Sequence, residues 1–166
     1  MPVSITLGDA GNTVTLSTID LLVGGSGTDM VVLTAGQSAA TVNLGAGTDT
    51  LVVTGTNTLT LSNTEVVNGG TGTDLLVLAT TVTGISVNLG AGTDTLQLAA
   101  GTNSLALSGV ESVLASTGAD RLVLTAATSG ATIDLGSGTD TLALTAGSHT
   151  LGLSNVEAVD GSTAAD

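Results

Sequence analysis

The residues Gly90-Ala-Gly-Thr-Asp-Thr-Leu-Gln-Leu98 decide the fold. They join a glycine turn to a strand, because Leu96 and Leu98 alternate with polar residues at the period of two that marks a half-buried strand. The phrase recurs along the chain with small changes, which indicates a repeat architecture. Its turns are Gly25–Asp29, Gly45–Asp49, Gly70–Asp74, Gly90–Asp94, Ser116–Asp120 and Gly136–Asp140, with a degenerate copy at Ser162–Asp166.

The spacing of the turns predicts how the strands are arranged. The interval from Asp29 to Asp49 is shorter than the interval from Asp49 to Asp74, and short and long intervals alternate in this way along the chain. We therefore predict one all-β domain over residues 1–166, a right-handed parallel β-solenoid of about seven coils alternating 20 and 25–26 residues. All motif aspartates should then stack in one column at one edge. A hairpin sandwich is the alternative, but its turns would recur every 8–12 residues without this register.

The long coils carry an additional short segment after their second strand. It ends in an acidic residue, as in Ser62–Glu65 and Ser108–Glu111. We expect this segment to form a third side of the coil. Its acidic residues should form a solvated face, since exposed charges couple weakly. They are Asp20, Glu65, Glu111 and Glu157.

Composition limits the core and the partners. The 166 residues include 24 Gly and no Phe, Trp, Tyr or Cys, so Leu, Val, Ile and Ala must supply the buried surface. One basic residue against 14 acidic ones gives a net charge of −13. This balance excludes a nucleic-acid footprint and disfavours anionic membranes, whereas cations are natural partners. No apolar run approaches the ~18 residues of a membrane span, so no membrane insertion is expected.

Catalytic chemistry is also not expected. His149 is the only histidine, and the chain has no Cys, Lys or second His to complete a triad or a zinc site. Serine and threonine are abundant, but without a base they are strand and turn residues. We predict that the protein is not an enzyme.

The turns resemble the Gly-Gly-x-Gly-x-Asp repeat of the repeats-in-toxin (RTX) family, which Gly24–Asp29 and Gly69–Asp74 match fully. The resemblance implies calcium, held by turn carbonyls and aspartate carboxylates, which suits an ion that takes six to eight oxygen ligands. The motif returns too rarely here for the two ion columns of that family, so one column is expected. The implied ligands are Asp29, Asp49, Asp74, Asp94, Asp120 and Asp140 with Gly25, Gly27, Gly45, Gly47, Gly70, Gly72, Gly90, Gly92, Gly136 and Gly138. Capping of main-chain N–H groups without metal is the alternative role for these carboxylates.

The function predicted from these features is structural. The phrase Leu153-Ser-Asn-Val-Glu-Ala-Val159 resembles segments of large bacterial adhesins and surface-layer proteins. It implies a calcium-stiffened, non-enzymatic module at a bacterial cell surface or outside the cell, continued in a longer repeat array or stacked end to end with further copies. A metal-free, self-assembling filament, in the cytoplasm or elsewhere, is the alternative. A column of turn threonines also resembles solenoid ice-binding faces, so an ice- or polysaccharide-binding module is a further alternative. That column comprises Thr28, Thr48, Thr73, Thr93 and Thr139.

Overall fold

The computed structural model describes residues 1–145 and 147–161, and in this part of the chain the fold is all-β. The odd-numbered strands are β1 (Ser4–Thr6), β3 (Leu21–Val23), β5 (Ala40–Asn43), β7 (Asn57–Ser62), β9 (Asp74–Leu78), β11 (Thr95–Gln97), β13 (Ser112–Leu114), β15 (Ser129–Asp134) and β17 (Thr150–Ser154). The even-numbered strands are β2 (Thr13–Leu16), β4 (Met30–Leu33), β6 (Thr50–Val53), β8 (Val66–Gly70), β10 (Thr83–Gly90), β12 (Ser104–Ser108), β14 (Arg121–Leu124), β16 (Thr141–Leu144) and β18 (Ala158–Asp160). The described ranges hold no helix of the length and apolarity that crossing a membrane requires.

The strands form two parallel sheets. Among the described residues, all nine odd strands make one sheet in chain order, and all nine even strands make the other. Each strand between the two ends of its sheet pairs in parallel with the strands two before and two after it in the chain. The chain therefore winds as a parallel β-solenoid of about eight turns, which confirms the predicted fold class. We call one odd strand and the even strand that follows it a layer.

The core fills the space between the two sheets with small aliphatic side chains. In β9 the buried residues alternate with half-buried ones, so that Leu76 faces inward and Leu75 faces outward. Parallel pairing then places like on like, for example Leu76 beside Leu96 and Leu122 beside Leu142, all fully buried. Burying each such side chain contributes about 1.5–3 kcal/mol. Regular aliphatic layers thus replace the aromatic anchors that this chain lacks.

The coil length differs from the expectation. Val31 pairs with Leu51, and Leu51 pairs in turn with Val67, so no turn between these residues is as long as the expected long coil. The additional segment of each long coil is not a third side, because it leads into a full strand such as β8. From Asp29 to Asp74 the chain runs through β4 to β8. We call this interval a repeat unit; it spans five strands, or two and a half turns, and the described residues hold nine layers instead of seven coils.

Because a repeat unit contains two and a half turns, successive pairs of motif turns lie on opposite edges of the rod. We call edge one the side where the chain passes from an odd to an even strand, and edge two the opposite side. Asp29 and Asp49 precede even strands and lie at edge one, whereas Asp74 and Asp94 lie at edge two. The pair formed by Asp120 and Asp140 returns to edge one. The expected single column is therefore wrong: motif aspartates adjoin only in pairs.

Candidate functional site: polar ladders at the two edges

Each pair of motif aspartates belongs to a four-residue column that we call a polar ladder. Its members occupy successive layers, in the order Asn, Asp, Asp, Glu, at the start of a strand. The three ladders are Asn12, Asp29, Asp49 and Glu65 at edge one; Asn57, Asp74, Asp94 and Glu111 at edge two; and Asn103, Asp120, Asp140 and Glu157 at edge one again.

The same hydrogen bonds run through every ladder. In the second ladder the main-chain N–H and the side-chain amide of Asn57 both donate to Asp74 Oδ1, at 2.9 and 2.8 Å. The N–H of Asp74 donates to Asp94 Oδ1 at 2.8 Å, and the N–H of Asp94 donates to Glu111 Oε2 at 2.9 Å. Each acidic ladder side chain thus accepts the N–H of the ladder residue one layer earlier. These bonds link adjacent layers at the points where the strands begin to pair.

The motif aspartates point into the rod. All six are at most 1 % exposed, in phase with the inward leucines that follow them. Their Oδ1 atoms accept the ladder bonds, but their Oδ2 atoms are buried without a hydrogen-bond partner among the described residues. A buried carboxylate oxygen without a partner costs free energy.

Burial raises the pKa of three ladder carboxyls, those of Asp49, Asp94 and Asp120. Loss of solvent raises the pKa of Asp49, and the nearby carboxylates Glu65 and Asp29 raise it further, although the N–H bond from Asp29 opposes them. Burial likewise raises the pKa of Asp94, with the same opposition from the Asp74 N–H. For Asp120 burial also raises the pKa, against two hydrogen bonds from Asn103. These carboxyls therefore hold protons at higher pH than exposed ones.

The glycine turns stack closely on one another. Gly45 and Gly90 have φ of 93° and 90°, a region that glycine occupies without strain. A Cβ on Gly45 would overlap the carbonyl oxygen of Gly25 in the neighbouring layer. That same carbonyl accepts the N–H of Ala46 at 2.9 Å, and the Gly70 carbonyl accepts the N–H of Ala91 at 2.9 Å. These turn carbonyls are thus directed along the rod, into the next turn.

This arrangement does not suit a calcium site of the kind that the resemblance implies. Calcium requires six to eight oxygen ligands around one point. No group of three or more His, Cys, Asp or Glu side chains gathers in that way within residues 1–145 and 147–161. The aspartate Oδ1 atoms and the Gly25 and Gly70 carbonyls already bind main-chain amides. The ladders instead match the alternative role, capping of main-chain N–H groups.

Two groups of ladder residues were not recognised in the sequence. Glu65 and Glu111 were predicted to form a separate solvated face, but they are half-buried and complete ladders. Asp20 accepts the Val3 N–H in the same way. The ladder asparagines were missed altogether, although Asn57 follows Asn12 by one repeat unit. This recurrence at the unit length was the available signal.

His149 occupies the asparagine position of the repeat unit after Asn103. Its Nε2 lies 3.1 Å from the Thr145 carbonyl oxygen, and the Asn103 side chain likewise contacts the carbonyl of Ala99. The His149 side chain is half-buried. Arg121 is exposed on β14 beside buried Asp120. The degenerate turn Ser162–Asp166 lies outside the described residues.

The column of acceptor side chains at edge one is interrupted at Val82. At edge two, Gln37 lies one layer after Asp20. Its Oε1 accepts the Ile19 N–H at 3.0 Å, and its Nε2 donates to the Ser17 carbonyl at 2.7 Å. Val82 holds the equivalent position at edge one, one repeat unit later, and its side chain can accept nothing. A cavity of about 100 Å³ opens there, lined by residues that include Thr64, Glu65, Thr80 and Val82.

The expected threonine column does not form. Thr28 and Thr48 precede the aspartates at edge one, whereas Thr73 and Thr93 precede those at edge two. No single row of these threonines therefore runs the length of the described rod. This division removes the feature on which an ice-binding face was predicted.

Comparison with protein-family models, curated proteins and solved structures finds no significant match. The resemblance to RTX repeats therefore depends on the turn motif alone, and the fold and the ladders carry the functional argument.

Proposed function

We propose that the chain is a non-enzymatic structural module, a stiff β rod whose length is set by its number of repeat units. The observation that supports this most directly is the continuity of both sheets through nine layers, with a polar ladder residue bonding adjacent layers at one edge or the other. At about 4.8 Å per layer the described rod is about 38 Å long.

The surface of the rod agrees with such a role. Outward positions carry small polar or aliphatic side chains, such as Thr41, Thr95 and Val123. The net charge of −13 keeps rods apart through mutual repulsion. A place in an adhesin, surface layer or matrix outside a bacterial cell is the setting that the sequence resemblance suggests, and it is part of this proposal. Calcium stiffening, which the resemblance implies, is not part of this proposal.

Deletion of one repeat unit tests the proposal. Removing residues 50–94 joins Asp49 to Thr95, which reproduces the natural Asp94–Thr95 junction. The shortened chain should fold, with its maximum dimension in small-angle X-ray scattering reduced by about 12 Å, since two and a half layers are lost. A shortened chain that is unfolded by circular dichroism, or whose dimension is unchanged, would contradict the proposal.

Binding assays separate this role from the alternatives. The intact protein should produce no thermal hysteresis in ice growth and should not be retained on immobilised polysaccharides. A clear signal in either assay would replace the structural proposal with a binding function.

A further inference from the structure

We infer that the motif aspartates serve as main-chain acceptors, so that the rod folds without calcium and the Gly-x-Gly-x-Asp turn here is a layer-joining device. This inference follows from the chemistry that the acceptor side chains at the two edges share. It contradicts the calcium role implied by the sequence resemblance.

Four different side chains perform the same task in these columns. Gln37 accepts the Ile19 N–H through Oε1, and Asn57 accepts the Gln37 N–H through Oδ1 at 3.0 Å. Asp94 and Glu111 accept the preceding N–H through carboxylate oxygens. Two of these side chains are neutral amides and two are acids. The common requirement is therefore one acceptor oxygen at the start of a strand, and negative charge is not part of it.

The direction of the carboxylates supports the same conclusion. A calcium-binding turn places carboxylates where several oxygens converge. Here each motif aspartate is enclosed with the core leucines, and its two nearest ladder partners lie one layer above and one layer below. Along edge one, three other residues separate the two aspartate pairs, so no continuous ion column can form there.

Only one oxygen of each motif aspartate is used. Oδ1 accepts the N–H, and Oδ2 has no partner among the described residues. Asparagine supplies the same acceptor oxygen without the charge, and Asn103 already accepts the Val82 N–H in this way at 3.2 Å. Replacing a motif aspartate by asparagine should therefore be tolerated, whereas alanine should not.

The experiment compares the full chain with D94N, D94A and the control D9N, each melted in excess chelator and in millimolar calcium. Far-UV circular dichroism follows unfolding, since the chain has no aromatic fluorophore. Asp9 is exposed, so D9N removes a charge without touching a ladder.

We expect the wild-type melting temperature to be the same in chelator and in calcium. D94N should remain folded in both conditions, and D94A should melt at a lower temperature or not fold. Equilibrium dialysis with calcium should show no stoichiometric binding to the wild type. A melting temperature that rises with calcium in the wild type and not in D94N would overturn the inference, as would a D94N chain that is unfolded in chelator while D9N is folded.

Discussion

Replacing Asn57 by leucine, a side chain of similar shape, should destabilise the rod strongly. Asn57 is 1 % exposed and makes three side-chain hydrogen bonds. Leucine would leave the buried Gln37 N–H without an acceptor, which costs about 1–3 kcal/mol. It would also remove one of the two donors to Asp74 Oδ1, and a bond to a charged group contributes about 1.5–3 kcal/mol.

The expected net loss is about 2–5 kcal/mol in the free energy of unfolding, after an allowance for the apolar surface that leucine buries. This is a large share of the roughly 5–15 kcal/mol that stabilises a typical domain. Urea denaturation followed by circular dichroism measures it, provided that the slope m is unchanged.

The matched control is Thr58→Val on the exposed face of the same strand, where a change within about 0.5 kcal/mol is expected. A loss below about 1 kcal/mol for Asn57→Leu at unchanged m would refute the reasoning, because the ladder would then contribute less than a typical buried hydrogen bond.

Three further predictions follow from the edges of the rod. Val82→Gln should raise the free energy of unfolding by about 1 kcal/mol, because glutamine fills the cavity and accepts the Thr64 N–H. The opposite replacement at the equivalent position, Gln37→Val, should lower the free energy of unfolding by about 1–3 kcal/mol. Urea denaturation in which both replacements change this free energy equally, in the same direction, would contradict the prediction. Gly45→Ala should cost more than about 2 kcal/mol, because the positive φ is strained for alanine and its Cβ meets the Gly25 carbonyl, while Gly8→Ala, with open space around it, serves as the control. Since the folded-state pKa values of Asp49, Asp94 and Asp120 are raised, their stabilising contribution is complete below the unfolded pKa of about 3.9 and is lost as the pH rises through the folded pKa values. Urea midpoints should therefore fall from pH 4 towards pH 7, and a rising midpoint would show that the buried carboxyls do not govern the pH response.

The parallel stacking and the inward face of most strands could be predicted from the sequence. Leu96 and Leu98 alternate with polar residues, and the motif interval is regular enough to exclude hairpins. The inward direction of the aspartate was also contained in this pattern, because Asp94 shares the parity of Leu96 and Leu98. The resemblance to a calcium motif concerns the turn alone and does not depend on this alternation.

The number of strands per unit could not be obtained in the same way. β8 contributes a single fully buried residue, Val67, and then runs into Asn68-Gly69-Gly70, so the alternation that identifies a strand is absent. β13 is similar, with Val113 as its only buried residue. These two strands depend on pairing with longer neighbours such as β10 and β15, which is tertiary information.

The role of the ladder asparagines could not be predicted from their residue type. Asparagine before a strand is common in turns because it hydrogen-bonds locally and tolerates unusual backbone angles. The role of Asn57 depends on Asp74, which lies in the next layer and well beyond the reach of a turn. No local rule relates the two, and only superposition of the repeat units brings them into view.

Because the repeat unit contains two and a half turns, the outer surfaces of the two sheets carry the same pattern of side chains. Thr15 on the even sheet and Thr60 on the odd sheet are equivalent positions of successive units, and they face opposite sides. A feature carried once per unit therefore returns to the same side only after two units, five layers or about 24 Å further along, and appears midway between on the reverse. A partner that recognises this repeat would therefore make its contacts alternately on the outer face of the odd sheet and on the outer face of the even sheet.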